Sequence, residues 1–216
     1  MATYLSLVND VLIRLREQSV STVNETPYST LIGKLVNDTK RQVENAWMWD
    51  ALSTVKTVTT ASGTSTYTVT GSGLYPRGAD INDTTNNSKL RNVPTQWIID
   101  RQQLSTVQNG NPIYYAWNGN DGTDSKIELY PTPNGTFSIS INLTVPQAKL
   151  SGDNDVLTIP AEDAVVAGAY ARALVERGED GGLSSSEAFG LYKGILGDDI
   201  AMEANRFMEN DCWSAV

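Results

Sequence analysis

The chain has 216 residues, a single cysteine (Cys212) and no histidine. These counts exclude Ser-His-Asp and Cys-His nucleophile arrangements and any disulfide within the chain, and they remove most metal chemistry. The formal net charge is −9, and residues 161–216 carry eleven acidic but only four basic side chains. Because tight binding to DNA phosphates requires clustered Lys and Arg, this composition argues against a DNA-binding protein.

Membrane and secretory segments are not expected either. No apolar run approaches the roughly 20 residues of a membrane-spanning helix. The N-terminus, Met1–Asp10, has neither the basic start nor the cleavage site of a signal peptide. We therefore expect no membrane association, and nothing in the sequence calls for a cofactor.

Two amphipathic helices are predicted before residue 50. Thr3 can cap the first helix, which we expect to end near Gln18. Thr26 followed by Pro27 has the composition of a helix start, and this second helix is expected to reach about Trp49. The predicted inward positions of the two helices are Leu5, Val8, Leu12 and Leu15, then Leu31, Leu35, Thr39, Val43, Ala46 and Trp47.

After Asp50 the composition changes to Thr, Ser, Gly and Val. Two alternating segments, Ser53–Thr59 and Ser65–Thr70, flank a turn and predict a hairpin. The polar stretch Asp80–Lys89 is predicted to be a surface loop. Short strands are predicted at Arg91–Val93 and Gln96–Ile99, followed by a single helical turn at Asp100–Leu104.

Three further strands are predicted as a meander at Ile113–Trp117, Ile127–Tyr130 and Phe137–Val145. The dipeptides Asn118-Gly119, Asp121-Gly122 and Asn134-Gly135 between them tolerate the positive φ of tight turns. Six to eight strands over residues 52–150 predict a small antiparallel β-barrel or sandwich.

Helical patterns return near Pro160. Glu162 and Asp163 would lie in the first turn of a third helix, which is expected to end at Gly178. The capping-box pattern Ser184-x-x-Glu187 predicts the start of a fourth helix that reaches about Asn205. Three glycines in this helix, Gly190, Gly194 and Gly197, each cost up to about 1 kcal/mol relative to alanine, which predicts tight packing or a bend.

The predicted fold class is therefore α+β. Two N-terminal and two C-terminal helices close into a four-helix bundle from which the β insertion projects, and an extended C-terminal tail follows. The predicted divisions are 1–50 for the first helix pair, 51–158 for the β insertion, 159–205 for the second pair and 206–216 for the tail.

Several segments resemble one family, the head-to-tail adaptor proteins of short-tailed bacteriophages, which are related to the tail tubular protein A group. The likeness covers most of residues 1–200 and lies in the pattern and order of the segments. The segments that carry it are Tyr4–Glu17, Glu44–Trp49, Ala61–Tyr67, Asn111–Tyr115 and Ile127–Pro133.

The resemblance implies a structural virion protein without enzymatic activity. It would be made in the host cytoplasm and would form a ring, typically of twelve copies, between the portal and the tail nozzle. DNA would pass through the lumen without specific binding. The resemblance implies that Phe207, Met208 and Trp213 dock to the portal, and that Tyr114, Tyr115, Trp117, Asn118 and Asp121 contact the nozzle or a neighbouring subunit.

Other interpretations of the same residues stay open at this point. Tyr114, Tyr115 and Trp117 also suit the core of a small β domain, or the aromatic platform of a carbohydrate-binding or tail surface module. The acids Asp198, Asp199 and Glu203 suit the lining of a lumen or a solvated face better than a metal site, because no calcium-binding spacing is present. A hydrolase that uses carboxylates would rest only on scattered acids.

Overall fold

The computed structural model describes residues 2–104, 108–178 and 183–205. These residues divide into two compact units. The helical unit consists of the chain up to Ala51 together with the chain from Gln147 onward, and the β unit is Leu52–Pro146. The described residues form both helices and β-sheets, which confirms the predicted α+β fold class.

Four helices make up most of the helical unit: α1 (Tyr4–Arg14), α2 (Pro27–Ala46), α4 (Glu162–Arg177) and α5 (Leu183–Ala204). The remaining helix, α3 (Thr95–Gln102), belongs to the β unit. Within the helical unit, α4 contacts α1, α2 and α5, and α1 also contacts α2. At the centre, Gly168 of α4 lies between Thr39 of α2 and Tyr192 of α5.

The predicted caps of the first two helices are confirmed. Thr3 and Thr26 accept hydrogen bonds from the backbone N–H groups of Ser6 and Ser29, and those serines reach back to form capping boxes. Pro27 occupies the first turn of α2, and Gly178 ends α4 with a φ of +63°.

The predicted boundaries of the four helices in the helical unit need four corrections, two at C-termini and two at N-termini. α1 stops at Arg14 instead of Gln18, because Arg16 takes a positive φ and Glu17 N–H turns back to the carbonyl of Leu12. α2 stops at Ala46 instead of Trp49, because Trp49 folds back and donates its Nε1–H to the carbonyl of Val43.

The other two corrections concern helix starts. α4 begins at Glu162 with Ala161 as its N-cap, so Pro160 lies just outside the helix. α5 begins at Leu183, one residue before the predicted cap Ser184.

The β unit contains two four-stranded sheets and a small two-stranded pair. One sheet has the order β1-β10-β3-β4, the other β2-β8-β7-β5, and β6 pairs with β9. The strands are β1 (Ser53–Thr59), β2 (Thr66–Thr68), β3 (Arg77–Asp83), β4 (Ser88–Lys89), β5 (Arg91–Asn92), β6 (Asn109–Gly110), β7 (Tyr114–Asn120), β8 (Ser125–Tyr130), β9 (Thr132–Pro133) and β10 (Ser138–Thr144).

Both large sheets contribute to one hydrophobic cluster. Ile81, Ile139 and Ile141 come from the first sheet, and Ile127 and Leu129 come from the second; all five are fully buried. None of the sheets formed by the described residues closes into a barrel.

The predicted strand pairing is wrong in two places. β1 and β2 do not form a hairpin with each other, because β1 pairs with β10 and β2 pairs with β8. The predicted three-strand meander also divides between sheets: β7 and β8 pair, whereas β10 lies in the other sheet. Pro131 follows β8 directly, and proline cannot donate a hydrogen bond to a strand ladder.

Two segments have a different structure from the one predicted. Asp80–Lys89 is part of a strand pair, β3 with β4, whose turn is held by Asp83: Oδ1 accepts from Thr85 N–H and Oδ2 from the Asn86 amide. The predicted strand Gln96–Ile99 lies in helix α3, where Ile98 is fully buried against Ala116 and Tyr130.

Candidate interaction surfaces

At one end of the β unit, the loop Gly71–Pro76 is fastened to the turn between β7 and β8. Gly73 N–H donates to Asp124 Oδ1 at 2.9 Å, and Ser125 N–H donates to Ser72 Oγ at 3.0 Å. Ser125 Oγ donates in turn to the carbonyl of Gly73 at 2.9 Å. The polar side chains in this network are buried, so the loop is fixed by hydrogen bonds that water does not readily replace.

The fastened loop carries two apolar side chains that face solvent. Leu74 is 41% exposed and Tyr75 is 73% exposed. A rigid loop that presents a tyrosine loses little conformational entropy on binding, which suits an anchor residue of an interface. This pair was not predicted from the sequence, although Leu74-Tyr75-Pro76 directly after Gly71-Ser72-Gly73 was the available signal.

Asp121 adds a negative charge to the same end of the β unit. Its exposed carboxylate accepts hydrogen bonds from Asp124 N–H at 2.8 Å and Thr123 N–H at 3.0 Å. These two bonds, the Asp124 one foremost, lower the pKa of Asp121 and favour its charged form. Asp124 links the two segments, because its carboxylate binds Gly73 N–H and its own N–H binds Asp121. We call Asp121 and the Leu74–Tyr75 pair the β tip.

The aromatic residues of β7 do not share one surface. Tyr115 is 5% exposed and lies in the main hydrophobic cluster, against which Trp117 packs half-buried. Tyr114 points to the opposite side, where its ring centre is 4.7 Å from that of Trp97. These three side chains therefore do not form a common platform for a sugar, and Tyr114 and Trp117 offer only part of their surface.

Asn118 and α3 are tied together through a buried carboxylate. Glu128 is 4% exposed and accepts a hydrogen bond from the Asn118 amide at 2.8 Å and one from the Gln102 amide at 2.6 Å. The guanidinium carbon of the neighbouring Arg101 lies 3.6 Å from the ring centre of Trp97, one turn earlier in α3. Asn118 therefore has a structural partner within its own unit.

The three acids predicted to line a lumen have different environments. Asp198 is exposed, whereas Asp199 is partly buried, and burial together with the charges of Asp163 and Asp198 raises the pKa of Asp199. Glu203 is 3% exposed, and its Oε1 accepts a hydrogen bond from Asp50 N–H at 2.8 Å. Of the three, Asp198 is the acid that faces solvent most fully.

A buried ion pair anchors the segment with which the chain re-enters the helical unit. Lys40 Nζ lies 2.9 Å from Glu44 Oε1, and the two side chains are 2% and 0% exposed. The same ammonium donates to the carbonyls of Gln147 at 3.0 Å and Ala148 at 2.9 Å. Burial lowers the pKa of Lys40, and the bond to Glu44 partly opposes this effect. The sequence analysis did not identify this cluster.

The described ranges contain no candidate metal site and no candidate membrane-spanning helix. No group of three or more Asp, Glu or Cys side chains in those ranges is arranged to hold a metal ion. None of the described helices combines the length and the apolar character needed to cross a membrane. The predicted portal-docking residues Phe207, Met208 and Trp213 lie outside the described residues, as does Cys212.

Comparison with known proteins identifies the family of this chain. No curated protein matches the chain. The family model described as SU10 adaptor protein matches residues 2–210, which is nearly the entire sequence. This match confirms the resemblance to phage head-to-tail adaptors that the sequence patterns indicated. The chain belongs to the SU10 adaptor protein family.

Proposed function

We propose that this protein is a structural, non-enzymatic component of a short-tailed bacteriophage virion that forms an adaptor ring between the portal and the tail nozzle. The observation that carries the proposal is the family match over residues 2–210. Twelve copies per ring is the number implied by the resemblance. In this proposal the ring lies at the portal vertex, after synthesis of the chain in the host cytoplasm.

Each part of the chain has a separate role in the proposal. The helix pairs in residues 1–50 and 159–205 act as one four-helix bundle and build the ring. The β unit, Leu52–Pro146, faces the nozzle, and the tail, residues 206–216, docks to the portal through Phe207, Met208 and Trp213. The exposed Leu74 and Tyr75 beside Asp121 support the nozzle role, because they combine an apolar anchor with a fixed charge.

Passage of DNA fits the charge of the chain. With a net charge of −9, the protein repels phosphate, and a ring that repels DNA lets it slide. We expect no measurable affinity for double-stranded DNA at physiological salt in a filter-binding or anisotropy assay. Tight binding that weakens steeply with added salt would contradict this role.

The ring itself is tested by the mass of the purified protein, alone and mixed with the portal protein of its phage. Light scattering gives the mass, and electron micrographs give the symmetry. A ring with the symmetry of the portal is the expected result. A protein that stays monomeric in the presence of the portal would overturn the proposal.

The β tip is tested separately with the nozzle protein. Tyr75→Ala removes the most exposed aromatic ring of the loop without touching the buried hydrogen bonds that hold it, so the fold should be unchanged. We expect nozzle binding to weaken at least tenfold by surface plasmon resonance on assembled rings, since an anchor tyrosine typically contributes 2 kcal/mol or more, that is ~30-fold. Val55→Ala, also in the β unit and 62% exposed before substitution, is the matched control.

A further inference from the structure

No described residue of the helical unit covers the outer side of α5. α5 lies on α4 through a narrow face on which Tyr192 and Glu203 are 2% and 3% exposed. On the opposite side, Leu191 is 62% exposed and Met202 is 71% exposed. We call this side the outer face of α5; its exposed residues are Glu187, Gly190, Leu191, Gly194, Gly197, Asp198, Ala201 and Met202.

The described residues do not explain why this face carries three glycines. A Cβ placed on Gly190, Gly194 or Gly197 would meet no atom within 4 Å in the described structure. At Gly168 of α4, by contrast, a Cβ would lie 2.5 Å from Thr39 Cγ2, so close helix packing requires that glycine. Because glycine weakens a helix, three uncompensated glycines beside two exposed apolar side chains indicate that something outside the described part of the chain covers this face.

The charges on the outer face of α5 match those on an exposed side of α2. Glu187 and Asp198 make the α5 face mainly acidic, with Lys193 at its border. The outer face of α2 is mainly basic, with Asp38 as its acid. It consists of Leu31, Lys34, Asp38, Arg41 and Asn45, all of which are exposed.

We propose that the outer face of α5 in one copy packs against the outer face of α2 in the next copy of the chain. The occupant is a second copy because one molecule carries both complementary faces, and a contact between two different faces repeats head to tail and closes into a ring. This inference rests on the proposed adaptor ring and names the contact that builds it. It also assigns Asp198 to the subunit contact instead of the lumen.

The steric test is Gly194→Leu. The added side chain enters open space in the single chain and favours the helix, so the isolated protein should unfold at the same temperature or higher. In the neighbour contact the same side chain keeps the helices apart, and we expect loss of rings in the mixture with the portal. Gly194→Ala is the graded control and should retain most of the rings.

The charge test uses two variants that should fail alone and succeed together. Glu187→Lys with Asp198→Lys makes the α5 face basic, and Lys34→Glu with Arg41→Glu makes the α2 face acidic. Each variant alone then places like charges at every contact, so we expect at least a tenfold loss of rings by light scattering with the portal. An equimolar mixture restores opposite charges at every contact between unlike copies and should restore the rings.

The outcomes separate this inference from the proposed function. Rings from the unaltered protein but none from Gly194→Leu, with recovery on mixing the two charge variants, support the inference. Rings from all the variants, or no recovery on mixing folded charge variants, overturn it while the adaptor role stands. No rings even from the unaltered protein with its portal would overturn both.

Discussion

At the scale of single residues, the Lys40–Glu44 pair shows how the helical unit holds its returning chain. Lys40 binds Glu44 and two backbone carbonyls at once, and one turn earlier Asn37 binds both the N–H and the carbonyl of Leu150. These side chains of α2 satisfy backbone groups of residues 147–150, which are outside any helix or strand. The cluster therefore determines how that segment lies on α2.

Removing one member of the pair is expected to be costly. Lys40→Met leaves Glu44 buried without its ammonium partner and should lower the free energy of unfolding by about 3–5 kcal/mol. Lys40→Met combined with Glu44→Leu removes both charges and should cost clearly less. Urea unfolding followed by circular dichroism measures both values. Equal losses in the single and double variants would show that the two charges are not coupled.

Asp199 is expected to make stability depend on pH. Burial and the neighbouring Asp163 and Asp198 raise its pKa in the folded protein above the usual aspartate value. The folded state then holds the proton more tightly than the unfolded state. The contribution of Asp199 to the free energy of unfolding therefore falls as pH rises from the pKa of Asp199 in the unfolded state to its pKa in the folded state.

Asp199→Asn tests this effect, because the asparagine side chain has nearly the same shape as aspartate. The amide removes the charge, so we expect a gain of about 0.5 kcal/mol at pH 7, small because the side chain is partly exposed and screened by water. At pH values below the ordinary aspartate pKa the gain should vanish. Urea titrations of both proteins at several pH values measure the difference, and a gain that is independent of pH would contradict the explanation.

At the scale of the helices and strands, local signals were predicted well and distant pairings were not. The caps at Thr3 and Thr26 were predictable because a cap depends on residues three positions apart. The pairing of β1 with β10 joins Ser53 to Thr144, and nothing in the sequence near Ser53 encodes that choice. The single buried apolar residue Ile81 between Asp80 and Lys89 gave no period from which β3 could be inferred.

The candidate surfaces show the same difference between local features, which the sequence predicted, and distant contacts, which it did not. The turn at Asp121-Gly122 was predicted because turn chemistry is local, whereas the β tip also requires the loop at Ser72 to meet a strand 53 positions later. Lys40 and Glu44 have the spacing of an ordinary surface pair on a helix, so only the carbonyls of Gln147 and Ala148 show that they are buried. Within α3, Gln96–Ile99 was assigned to a strand because four residues are too few to distinguish the helical period from the strand period, whereas the helical turn predicted from Asp100 overlaps the end of this helix.

The packing of α4 between its neighbours gives a test at this scale. Gly168→Ala would place a methyl carbon 2.5 Å from Thr39 Cγ2 and 3.0 Å from Tyr192 Cδ2, so the helices would have to shift. We expect a loss of about 1–3 kcal/mol in the free energy of unfolding. Gly197→Ala is the control, and should gain up to about 1 kcal/mol because its methyl group meets open space. Similar effects at the two glycines would contradict the close approach at Gly168.

At the scale of the whole molecule, one ring can account for three features of the chain: its acidic excess, the outer faces of α2 and α5, and the β tip. A subunit of such a ring needs one contact above it, one below it and two different contacts beside it. In the proposal, the outer faces of α2 and α5 serve the contacts between copies, and the β tip serves the contact with the nozzle. The portal contact is left to the residues that follow α5 in the sequence, where three large apolar side chains occur within seven positions.

Truncation after Asn205 tests that last assignment. The helix α5 ends at Ala204, so the shortened chain keeps every described helix and strand and should unfold at the same temperature. It also loses Phe207, Met208 and Trp213, so we expect binding to the portal to fall at least a hundredfold by surface plasmon resonance. Phe207→Ala with Trp213→Ala in the full chain should reproduce most of this loss, since apolar anchors dominate docking energies. Full portal binding by the truncated protein would instead place the portal contact on the helical unit.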